Sequence, residues 1–101
     1  MPKVMEILGY IIYFWSNEGR PLDPLHIHIA KEPTPNGTKV WLLSNGKTKV
    51  VHNKSQIPPK DLKRLLSVIE EFSDDIAVKW KEHFKVEQVR YKDQYDREGS
   101  R

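Results

Sequence analysis

The chain has 101 residues, enough for one domain with a modest core and too few for two. Hydrophobic residues make up 38% and charged residues 31%, an ordinary globular balance, and no apolar run approaches the roughly 18 residues of a membrane span. There is no cysteine, which excludes disulfides, thiolate metal sites and thiol catalysis and leans toward the cytoplasm, while a formal charge of +3 permits an RNA or an acidic protein partner without demanding one.

The opening, MPKVMEILGYIIYFW, has an apolar stretch but no small-residue cleavage site, so it reads as strand rather than signal peptide. Gly9–Trp15 is β-branched and aromatic on both faces, as in a central strand covered on two sides. Ser16–Pro24 is a loop dense in Gly, Pro, Asn and Asp. Leu25–Lys31, LHIHIAK, is the second strand, and Pro33 and Pro35 stop it pairing further. Strands are then expected at Lys39–Leu43 and Lys47–His52, joined through Asn45-Gly46, a type I′ hairpin signal. The result is an antiparallel meander of four strands.

Pro59 can open a helix, where its missing N–H costs nothing. Leu62, Leu65, Leu66, Ile69 and Phe72 mark one apolar face, and Ile76, Trp80 and Phe84 continue at helical spacing. One straight helix from Pro59 to Phe84 would run about 39 Å, long for a domain of roughly 13 Å radius of gyration. Ser73-Asp74-Asp75 can cap a fresh helix, so two helices, or one bent near Ser73, are expected. Val89 and Tyr91 suit a short edge strand, and residues 92–101 read as a polar, frayed tail. The expectation is a single α+β domain over residues 1–91: a meander of about four strands with one bent helix or two helices packed on one face.

Alternation along LHIHIAK turns Leu25, Ile27 and Ile29 toward the helices, against Leu62, Leu66 and Ile69. It turns His26 and His28 to the opposite face, with Cβ atoms about 6.6 Å apart. Three readings stand side by side. The pair is a polar stripe on a half-solvated sheet. It binds a metal, for which His52, His83, Asp23, Glu32 and Glu18 are the available further ligands, none at a recognised spacing. Or it does acid–base or phosphate-binding work, with Arg20 on the preceding loop gripping the anion. No other cofactor is expected. His52 either joins the pair across the sheet or fixes the loop before the helix, the second being the expectation; His83 sits late in the last helix as a surface group.

Arg20, Lys31, Lys39, Lys47, Lys49 and Lys54 fall in the sheet half, with Tyr13, Trp15 and Trp41 among them. Charge on backbone and rings on bases can hold single-stranded RNA, although single lysines are usually solvated and Trp41 and Trp80 are more often core.

The segments IYFWSNEGRPLDPLHIHIAKE, TKVWLLSNGK, NKSQIPPKDLKRLLSVI and VKWKEHF, in this order, resemble the domain-of-unknown-function 4160 family over about Gly9 to Tyr91. The shared marks are Pro24, His26 and His28 with Leu25 between, and an amphipathic helix from Leu62 closing on Trp80. The resemblance implies no settled activity. It implies a neighbouring gene for a small protein of the domain-of-unknown-function 2442 family, an arrangement like a toxin–antitoxin module. The expected function is therefore a cytoplasmic component of such a pair that binds its small cognate protein and binds or cleaves RNA. The alternative is a non-catalytic binding or regulatory module, with or without a metal at His26 and His28.

Overall fold

The computed structural model describes residues 2–15 and 22–99. Five antiparallel strands, β1 (Lys3–Ile7), β2 (Tyr10–Tyr13), β3 (His26–Ala30), β4 (Thr38–Leu42) and β5 (Thr48–His52), lie side by side in chain order. Among the described residues three helices follow, α1 (Pro59–Glu71), α2 (Ser73–Phe84) and α3 (Lys92–Gly99). The fold is α+β, as the patterning indicates, with one strand more than expected.

The extra strand is β1. It pairs with β2 through Ile7 and Tyr10, which leaves Leu8-Gly9 as a two-residue turn with φ of 55° and 81°. Two positive φ values are what a tight hairpin needs, and Gly supplies one without strain. Leucine does not, and a left-handed L-residue costs about 1–2 kcal/mol. An apolar residue at a turn tip carries no turn signal, so β1 and β2 read as one apolar run.

The second hairpin forms where expected, but its turn differs. Gly46 alone has positive φ, at 83°. Gly46 N–H donates to Leu43 O at 3.0 Å, and Leu43 N–H donates to Lys47 O at 2.9 Å. This is a three-residue loop closed by a left-handed glycine rather than a type I′ pair. Asn45 instead accepts from Lys47 N–H through its side chain, at 3.0 Å.

The helical region is two helices, broken at Phe72 (φ −103°, ψ 19°). No side chain caps α2; Ile76 N–H donates to Phe72 O at 3.0 Å, and Asp74 and Asp75 complement the helix dipole in the first turn. The core face of the sheet carries Tyr10, Ile12, Leu25, Ile27, Ile29, Val40 and Leu42, in one buried cluster with Leu65, Ile69, Ile76, Ala77 and Trp80. Of the expected helix face, Leu65 and Ile69 are fully buried, Leu62 and Leu66 lie at the margin of the cluster, and Phe72 is exposed.

Val89 and Tyr91 are not in a strand. They pack half-buried on the core, and Arg90 O between them accepts from Leu25 N–H at 2.8 Å. Residues 92–99, expected as a polar tail, form α3, whose Asp93 carboxylate takes both the backbone N–H and the hydroxyl of Ser44.

Candidate functional site: two polar rows across one sheet face

Residues paired across neighbouring strands share a face. The register therefore draws a line of titratable groups over four strands: Tyr13 opposite His28, His28 opposite Lys39, and Lys39 opposite His52. Beside it runs a second row, His26 opposite Trp41 and Trp41 opposite Lys49. His52 joins only because of a β-bulge. Lys39 pairs with His52 and Val40 with Val50, so Val51 is the extra residue. Plain alternation from Val50 would put His52 on the core face; the bulge re-aims it to the polar one. His52 thus faces Lys39 across the sheet and, as expected, also bonds the following loop, its Nδ1 accepting from Lys54 N–H.

The inner half of this face is buried. His26 is 1% exposed and His28 6%, so the pair is no half-solvated stripe. Their rings meet edge to face at 5.3 Å, Tyr13 stacks on His28 at 5.6 Å, and Trp41 meets His26 at 5.4 Å. Trp80 of α2 also reaches the His26 ring, at 5.4 Å, so His26 is not separated from the helices as alternation alone implies. The reason is position. Trp80 packs edge-on to Phe14, just past β2, and His26 opens β3 at the same end of the sheet, where a large ring touches both.

Each histidine is tethered through the same atom. His26 Nδ1 lies 2.9 Å from Pro24 O, and His28 Nδ1 lies 3.2 Å from Gly37 O. A carbonyl only accepts, so Nδ1 carries the proton in both rings. In the neutral ring Nε2 is then the basic and ligating nitrogen, the arrangement seen where histidine binds metal or moves protons.

The β3–β4 loop is fastened over this inner half. Tyr13 Oη–H donates to Thr34 O at 2.5 Å and accepts from Thr34 N–H at 3.2 Å. Burial pushes the Tyr13 phenol above its ordinary value, with the Thr34 bond offsetting part of the rise, so it stays a neutral donor. Gly37 passes so close that a Cβ there would collide with Tyr13 Oη and lie 3.3 Å from Ile29 O.

The outer half is basic and reachable. Lys39 Nζ sits 4.5 Å from the Trp41 ring centroid and Lys92 Nζ 5.4 Å from it. Lys39 also lies 3.9 Å from Asp23, and Lys92 2.8 Å from Asp96. Lys49 and Lys54 are exposed. His52 Nδ1 accepts from Lys54 N–H at 3.3 Å. Desolvation first, then the charges of Lys54 and Lys39, pull the His52 pKa below its ordinary value, so it is neutral at pH 7. Of the rings expected beside the lysines, Tyr13 is fully buried, Trp15 stands half-exposed 6.5 Å from it, and Trp41 is half-exposed. Lys31 lies apart, over Tyr10 at 5.7 Å.

Three residues that the sequence reading passed over hold the loop after β5. Thr38 N–H donates to Ser55 Oγ and Ser55 N–H to Thr38 Oγ1, at 3.0 and 3.2 Å. Thr38 Oγ1–H donates to Asn53 Oδ1 at 2.7 Å, and Ser55 Oγ–H to Ile29 O at 2.7 Å. Asn53 then brackets Ile57, accepting its N–H at 3.1 Å and donating to its carbonyl at 2.9 Å. The only signal in the sequence is the polar run NKS before Gln56.

Arg20 and Glu18 lie outside the described residues. Among the described residues, no three His, Asp or Glu side chains come together as a metal-binding group. Asp23 is drawn to Lys39, Glu32 is exposed, and His83 stacks beside Phe14 at 6.1 Å on α2. Among the described residues no helix is long and apolar enough to cross a membrane. No curated protein and no solved structure matches the chain. A family model matches residues 9–81, from the turn before β2 through Lys81, and so takes in both polar rows, α1 and most of α2. The chain therefore belongs to the family described as Domain of unknown function (DUF4160).

Proposed function

We propose that the protein is a cytoplasmic binding module of a two-protein, toxin–antitoxin-like pair, and that it holds its small cognate partner by strand addition at β1. The supporting observation is the sheet order: among the described residues, β1 is an edge strand of five residues with β2 as its one neighbour. The opposite edge is partly closed, because Glu70 of α1 takes the N–H and hydroxyl of Thr48 in β5 at 3.0 and 2.8 Å. An open edge offers main-chain hydrogen bonds to an extended segment. The burial of His26 and His28 also favours binding over open catalysis. Coexpression with the neighbouring gene product is expected to give one co-eluting complex, in which the amides of residues 3–7 gain hydrogen-exchange protection. Separate elution at micromolar concentration, or protection gained elsewhere with β1 unchanged, would refute the reading.

A second reading, RNA cleavage by His26 and His28, is favoured by the matched Nδ1 tethers. In this reading one neutral imidazole takes the 2′-hydroxyl proton, the other, protonated, serves the leaving oxygen, and Arg20, outside the described residues, holds the phosphate. The double variant His26→Asn with His28→Asn keeps an N–H for each carbonyl but moves no protons. It is expected to fold and to lose all cleavage of total RNA. Equal cleavage by the variant and the wild type would remove the pair from any catalytic role, and loss of wild-type activity to a chelator would shift the chemistry to a metal.

A further inference from the structure

The basic half of the polar face has a use that neither the partner edge nor the histidine pair supplies. We propose that Lys39, Trp41, Lys49 and His52 form a binding surface for the phosphodiester backbone of single-stranded RNA, with His52 as its proton-linked member. The inference does not depend on the strand-addition reading or on cleavage by His26 and His28.

Three observations converge on it. The first is the bulge at Val51, which carries His52 off the core face and sets it opposite Lys39. Bulges that re-aim one side chain are concentrated next to functional surfaces. The second is the placement of the ammonium groups. Lys39 and Lys92 both place their ammonium groups over the Trp41 ring, which gathers cationic charge beside an indole. The third is chemistry. Lysines flanking a half-exposed tryptophan offer charge to a backbone and a ring to a base, and an acidic polypeptide uses only the first of these.

The groups facing His52 are Lys39 on β4 and Lys54 in the loop after β5, with Asp23 on the far side of Lys39. Desolvation first, and then the two cations, favour the neutral imidazole. A phosphate set between them reverses the local potential and favours the imidazolium, in which Nδ1 is protonated and releases Lys54 N–H. Binding therefore takes up a proton, and affinity rises as pH falls.

The test uses a short 2′-O-methyl oligouridylate, which cannot be cleaved through its 2′-hydroxyl, so loss of binding is distinguishable from loss of catalysis. Wild type is expected to bind it more tightly at about pH 5.5 than at about pH 7.5, across the histidine range. The His52 NMR titration midpoint should rise on addition of the oligonucleotide. Lys39→Gln with Lys49→Gln should lower the salt slope of binding by about 1.4, two contacts at about 0.7 each for a single strand. His52→Asn, whose amide oxygen can still accept from Lys54 N–H, should abolish the pH dependence of binding. The proposal is overturned if the double lysine variant binds with an unchanged salt slope or if the His52 midpoint does not move. It is equally overturned if poly-L-glutamate of matched charge binds as tightly, which would mark the surface as a site for acidic protein.

Discussion

Replacing Trp80 by alanine is expected to lower the unfolding free energy by about 3–5 kcal/mol, the range for removing a buried aromatic. Trp80 is 1% exposed, and its ring meets Phe14 at 5.2 Å, Phe84 at 4.4 Å and His26 at 5.4 Å. It is the piece of α2 that joins the helical layer to the sheet end where β3 begins. The loss should therefore appear twice: in the urea midpoint, and as a displaced His26 imidazole resonance in variant that remains folded. A loss below about 1 kcal/mol, well short of a core aromatic, would mean that the helix does not close on the sheet in this way.

Thr38→Val should be the costliest conservative change on β4. The side chain keeps its shape and loses only the hydroxyl, but that hydroxyl accepts from Ser55 N–H and donates to Asn53 Oδ1. Thr38 is 0% exposed. Ser55 N–H is left without this acceptor and Asn53 without this donor, at about 1–3 kcal/mol each when buried. Thr38→Ser retains the hydroxyl and should recover most of the loss, which separates the hydrogen-bonding role from packing. If valine and serine cost the same in thermal unfolding, the hydroxyl is not what holds the loop.

Much of the fold is legible in local pattern because it depends on local chemistry. The β4–β5 hairpin follows from Asn45-Gly46 between β-prone runs, and the break at Phe72 from a helical pattern too long for the domain. The misses share a dependence on contacts remote in sequence or on backbone angles that residue type does not announce. Leu8 adopts a turn conformation that leucine does not advertise. Leu65 and Leu66 lie on the same broad helical stripe, and the docking angle on the sheet decides which is covered. The depth of His26 and His28 follows from β3 being the middle of five strands and from rings supplied by Tyr13, Trp41 and Trp80, none of them adjacent in sequence. The placement of His52 depends on one unpaired residue in a ladder, a matter of register rather than of composition.

The chain-order arrangement of the strands has a consequence for synthesis. Every strand pairs with its immediate sequence neighbours, so the sheet can grow hairpin by hairpin as the chain leaves the ribosome. The side chains that cover its apolar face arrive last, since Leu65, Ile69, Ile76 and Trp80 all follow β5. A nascent chain halted after His52 thus presents Ile12, Ile27, Ile29, Val40 and Leu42 to water with nothing from α1 or α2 to cover them. That intermediate has the adhesive character of an uncovered sheet, and its lifetime is set by the translation of the next thirty or so codons at about 5–20 residues per second.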